Sequence, residues 1–195
     1  TCYTCFTISV IRGKKMSTAQ RFLEILLLAL DQIQQHYYNT DAWQDLRQAL
    51  DQDEAEVERE AKLKRLKPLV TKYSERTFCY ELYHHIRVLI EQENKRHDIK
   101  FGHTILQAEF TKNRITGEIE KDWNVKSLDA KYIPDFLLHS PGDYNKQMVI
   151  VEVKVKPKLD FASIKKDLAK IDQFLASYKY EQGVFLAANA STAHL

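Results

Sequence analysis

The sequence predicts an α/β protein, a central mixed sheet flanked by helices and preceded by a helical front. Three observations predict it. Apolar residues recur at helical spacing through residues 17–66. Three β-rich runs, at 104–111, 132–138 and 148–156, follow a further helical stretch at 77–93. The last run leads into a helix at 160–178 and a closing strand at 183–188. A chain of 195 residues can bury one good-sized core, or a domain with an appendage.

The elements follow in order. Residues 1–15 show no helical period, and they precede Met16; they read as a leader outside the fold. Ser17 with Gln20 three residues later is a capping box. It opens a helix to about Tyr38 whose stripe is Phe22, Ile25, Leu26, Ala29, Leu30 and Ile33. Asn39-Thr40-Asp41 breaks the pattern and caps a second helix, which runs to about Leu66 through the charged stretch Asp51 to Lys62. The basic group Lys62, Lys64, Arg65 and Lys67 precedes Pro68. It suits a solvated helix end, where it complements the helix dipole, or a nucleic-acid contact. The two helices make an N-terminal helical hairpin over 16–68, with residues 69–195 as a second unit.

Composition sets few limits. Hydrophobic residues make up 44% and charged residues 29%, with a net charge of +2. That balance neither demands nor excludes a nucleic-acid partner. The apolar run Ile25–Leu30 is too short to span a bilayer, and no secretory signal is evident, so the expected location is the cytoplasm. Cys2 and Cys5 form a CxxC without the second pair that a zinc site needs. Cys79 reads as a small buried apolar residue. His84 and His85 lack the spacing of a helical zinc motif, and His139 reads as a loop residue, with a phosphate contact as the alternative.

The chemistry lies in Tyr132-Ile-Pro-Asp-Phe-Leu-Leu138 and Met148-Val-Ile-Val-Glu-Val-Lys-Val155. The turn residues His139-Ser-Pro-Gly-Asp143 between them predict an antiparallel hairpin. Alternation puts Val149, Val151, Val153 and Val155 on one face, and Ile150, Glu152, Lys154 and Lys156 on the other. Pro134 cannot donate to a ladder, so it marks an edge, a strand start or a bulge; a bulge would turn Asp135 toward Glu152. An acid two residues before a lysine recurs elsewhere in the chain, but only Glu152/Lys154 sits inside an apolar β run. Burying those charges is costly unless they are paired or bind a metal.

Pro134-Asp135, a gap, then Glu152-Val153-Lys154 resembles the PD-(D/E)XK nuclease superfamily, which includes restriction endonucleases. The likeness covers roughly the last 120 residues. It implies a restriction-endonuclease-like αβββαβ core and a nuclease that hydrolyses phosphodiester bonds, in DNA first of all. The metal would be Mg²⁺, with Mn²⁺ as substitute, held by Asp135, Glu152 and the carbonyl of Val153. Lys154 would orient the attacking hydroxide or hold a phosphate oxygen. Members often add an acid on the first helix. Glu81 is the matching position, as ligand and catalytic residue, and an exposed helical Glu is the equal alternative. Glu75 lies a turn and a half earlier, too near the helix start to serve, and Glu109 is a second choice. On the helix after the motif, Asp160 is the cap and Phe161, Ile164, Leu168, Ile171 and Leu175 form the expected buried stripe. Lys166, Lys170 and Gln173 form the face expected to meet the nucleic-acid backbone, or else a solvated one. The helical front is expected to serve homodimerisation or target placement. The other function class is a nuclease-fold module that binds nucleic acid or a partner protein without cutting. Leu195 follows the last strand closely, which leaves room for a C-terminal continuation.

Overall fold

The computed structural model describes residues 17–34, 37–38, 55–96, 101–109, 132–143, 145–156 and 159–190, without the side chains at 67–74 and 96. The expected leader, the Cys2/Cys5 pair, the Asn39-Thr40-Asp41 cap and the first part of the second helix lie outside these residues.

Helix α1 spans Thr18–Leu30. The capping box forms: Gln20 N donates to Ser17 Oγ at 3.2 Å, and Ser17 N donates to Gln20 Oε1 at 3.0 Å. The helix ends earlier than the expected Tyr38. The chain beyond it tightens into three-residue turns, with Gln32 N on Ala29 O and Ile33 N on Leu30 O. Those turns keep Ile33 in the core.

Helix α2 spans Glu56–Arg96. This corrects the reading of two separate helices broken at Pro68. A proline in a helix interior costs about 3 kcal/mol and one hydrogen bond, which weakens a helix without forbidding it. Most side chains from Glu56 to Arg65 are exposed, as their charge implies, and Leu63 is buried.

The sheet holds β1 (Ile105–Ala108), β2 (Phe136–His139), β3 (Gln147–Val155) and β4 (Gln182–Ala188), in that spatial order. The expected hairpin of β2 and β3 is antiparallel, as is β1 on β2. Helix α3, Phe161–Tyr178, crosses from β3 to β4, which run parallel. This is a mixed α/β architecture. No described helix is long and apolar enough to cross a membrane.

The valine alternation fixes which layer lies on which face. Val149, Val151, Val153 and Val155 join Phe136 and Leu138 in a core with α1 and the Phe78, Leu82, Ile86, Ile90 face of α2. Helix α1 therefore shares the core of the sheet. Arg21 on α1 grips the buried Glu93 of α2 through two hydrogen bonds of 2.9 and 2.8 Å. Leu137 and Ile150 face the other way, onto Ile171, Phe174, Tyr178 and Tyr180.

Helix α3 is turned about its axis relative to the expected stripe. Its buried residues are Asp167, Ile171, Phe174, Ser177 and Tyr178. Phe161 and Leu168, expected inside, are 79% and 45% exposed. The aromatic cluster of Phe174, Tyr178 and Tyr180 decides the phase, because it offers more apolar area than the lighter stripe. Gly183 lets α3 approach β4: a Cβ there would meet Ile171 Cγ2 at 2.2 Å.

Candidate functional site

The site begins where β2 leaves β3. Phe136 is the last β2 residue paired with β3, opposite Val151. Beyond it the chain turns away at Pro134 and Asp135, so β3 continues without that neighbour. The register irregularity lies at Leu138/His139, at the far end of β2, so Pro134 marks a strand start and no bulge turns Asp135.

Backbone N–H groups stranded at such an edge need acceptors. Two carboxylates provide them. Val153 N donates to Asp135 Oδ2 at 2.7 Å, and Val155 N donates to Glu75 Oε2 at 3.3 Å. Asp135 thus comes from the loop before β2, and Glu75 reaches over from α2.

On the α3 face of β3, Glu152 and Lys154 meet Asp167 and Lys170. Lys170 Nζ donates to Glu152 Oε2 at 2.7 Å and lies 3.7 Å from Asp167 Oδ1. Lys154 Nζ is 3.4 Å from Asp167 Oδ2 and 3.7 Å from Glu75 Oε1, and it donates to Val153 O at 3.2 Å. Acids and lysines therefore alternate: Glu75, Lys154, Asp167, Lys170, Glu152. With Asp135 the group holds four carboxylates and two ammoniums, an excess of two negative charges when all are ionised.

Burial dominates the electrostatics. Glu152 is 1% exposed, and its Oε1 is buried without a hydrogen-bond partner. Loss of water, and then the neighbouring Asp135, push its carboxyl up to about 7, against the pull of Lys170. Burial also raises Asp135 to about 6, against the hydrogen bond from Val153. For Lys154, burial acts to lower the value, but Glu75, Asp167 and Asp135 outweigh it and hold the ammonium charged. Behind the site the buried Cys79 thiol is pushed far up by desolvation, in keeping with an inert packing residue.

Asp135, Glu152 and Lys154 are thus brought together, and the Val153 carbonyl lies among them. Glu81 is not. It lies about 9 Å further along α2 than Glu75 and pairs with His85 at 3.2 Å. Glu109 is half-exposed and 3.5 Å from Arg76, while its N–H supports the Asp135 carbonyl at 3.0 Å. Of the expected nucleic-acid face, Lys166 is exposed, Gln173 is half-buried, and Lys170 turns inward to Glu152. His139 is a buried β2 residue bonded to Gln107, remote from Asp135 along the strand, and not a loop residue.

Sequence reasoning passed over Asp167, and it assigned Lys170 outward. A signal was present: the spacing Ile171, Phe174, Tyr178 extends back one turn to Asp167. Glu75 could be placed only once α2 had docked. Among the described residues no three His, Cys, Asp or Glu side chains converge as a ready metal cage. Comparison with protein-family models, characterised proteins and solved structures found no match to the chain.

Proposed function

We propose that the chain is a divalent-metal-dependent nuclease of the PD-(D/E)XK type, cutting phosphodiester bonds in DNA. The observation that carries the reading is the Glu152 carboxylate, buried with Oε1 unpartnered beside Asp135. A buried, unsatisfied carboxylate oxygen is costly, and a cation would satisfy it. The succession α2, β1, β2, β3, α3, β4 supports a restriction-endonuclease-like core.

The donor set fits a hard cation. Carboxylate oxygens are what Mg²⁺ or Mn²⁺ prefers, and Mg²⁺ keeps several waters, so two protein carboxylates are enough. Asp135 and Glu152 would hold it, with the Val153 carbonyl nearby. When bound, the ion would lower the pKa of a coordinated water and offset charge on the scissile phosphate. The remaining work falls to the protein. Lys154, held charged between Glu75 and Asp167, presents an ammonium to a phosphate oxygen or to the attacking water. The Val153 N–H fixes Asp135, and burial excludes bulk water from Glu152.

One observation favours a second reading, a module that binds nucleic acid or protein without cutting. Lys154 and Lys170 already neutralise part of the acidic group. Cleavage assays separate the two. Wild type and Glu152→Gln are incubated with plasmid, linear and single-stranded DNA, with Mg²⁺, with Mn²⁺ and with chelator. The nuclease reading expects metal-dependent cutting that Glu152→Gln loses. DNA binding without cutting under every metal would favour the binding module.

A further inference from the structure

We infer that Lys170 is a built-in counter-ion of the proposed metal site: it occupies Glu152 when no cation is bound and yields its place when one arrives. The inference rests on the metal-site reading and adds a regulation of that site by the chain itself.

Three observations support it. The Lys170 Nζ–Glu152 Oε2 contact of 2.7 Å is the shortest ion pair in the group, so the ammonium stands where a cation attracted to that oxygen would stand. The other oxygen of the same carboxylate has no hydrogen-bond partner, so the lysine satisfies Glu152 only in part. Lys170 also has somewhere to go. Asp167 Oδ1, on the same helix, is already 3.7 Å from its Nζ, and that acid is 6% exposed. Rotation of the lysine end toward Asp167 would exchange one buried carboxylate for another. The ammonium would stay paired throughout, which keeps the exchange free of the cost of a lone buried charge. A metal on the unpartnered Oε1 and the ammonium on Oε2 would be two cations on one buried carboxylate; their repulsion at that separation drives Lys170 across to Asp167 when the metal binds.

The consequence is a site that binds cations more weakly than its carboxylates alone would allow, and that stays ordered when empty. An adventitious role for Lys170, in which it merely packs against β3, makes neither statement.

The test uses the full chain at pH 8.5, with Mg²⁺ alone as the probe. Lysine acylation followed by mass spectrometry reads the exposure of Lys170. In wild type, Lys170 should be labelled slowly in chelator and faster in saturating Mg²⁺, with Lys166 unchanged as the internal control. Titration calorimetry reads affinity. Lys170→Gln, whose amide can still donate to Glu152, should bind Mg²⁺ about tenfold more tightly than wild type, because one opposing charge is gone. Lys170→Met provides the same comparison without any donor. Mg²⁺ binding with unchanged Lys170 labelling, or weaker binding by both variants, would overturn the inference and leave the metal site standing. No binding by wild type or by either variant would overturn both. Binding by the variants but not by wild type would support the inference in its strongest form.

Discussion

Glu152→Gln offers a stability test that needs no substrate. The folded protein holds the Glu152 proton up to about pH 7, whereas a glutamate ordinarily releases it at 4.5. A rise of that size corresponds to about 3 kcal/mol. Because the folded-state value lies above the unfolded one, this contribution favours folding fully below about pH 4.5. It is then lost as pH climbs through about 7. Asp135 beside it, raised to about 6, acts in the same direction. A glutamine is neutral at every pH and close in shape to the protonated acid. In chelator at pH 8, Glu152→Gln should therefore be more stable than wild type by up to about 3 kcal/mol, a rise of up to roughly 6–12 °C in Tm for a chain of this size. Near pH 4 the difference should vanish. Mg²⁺ should narrow it at pH 8 by stabilising wild type alone. Thermal unfolding followed by circular dichroism from pH 4 to 8.5 reads all three. A Glu152→Gln protein less stable than wild type at pH 8 without metal would refute the reasoning, since it would mean that Lys170 more than offsets the burial of the charge.

Other substitutions probe the remaining links. Lys154→Ala should abolish cleavage while the Mg²⁺-induced rise in Tm survives, because both carboxylates remain; a lost Tm shift would assign Lys154 to holding the site together. Arg21→Ala leaves the buried Glu93 without its fork and should cost about 2 kcal/mol, measured by urea unfolding; a change below a few tenths would mean that the contact between α1 and α2 rests on apolar packing alone. Gly183→Ala should cost about 1–3 kcal/mol by overpacking against Ile171, and Ile171→Leu, which lacks the branched methyl, should restore part of it.

The sequence by itself determined the features set by neighbours along the chain. Ser17 with Gln20, and Asp160 with Ser163, satisfy helix-start N–H groups within three residues, so the residue types alone announce them. The β2–β3 hairpin was legible because turn residues separate two apolar runs. The period of two along β3 put its valines on one side and Glu152 with Lys154 on the other. Glu152 and Lys154 could be grouped on that basis, whereas Asp135 joined them through the family resemblance and an expected bulge at Pro134 that does not form.

Tertiary structure decided what depends on how whole elements dock. A helix reads through Pro68 because the penalty at one position is small beside a long run of backbone hydrogen bonds. The phase of α3 was set by the aromatic cluster under it, and that turn carried Asp167 and Lys170 inward to Glu152 and Lys154. Glu75 meets Val155 N across 80 positions of chain, and Glu81 does not reach the site, because the placement of α2 against the sheet selects which turn lies over the bare edge of β3. No local spacing encodes that choice: hydrogen bonds and periodicity act over a few residues, whereas the pairing of buried charges is settled only when separate surfaces close on one another.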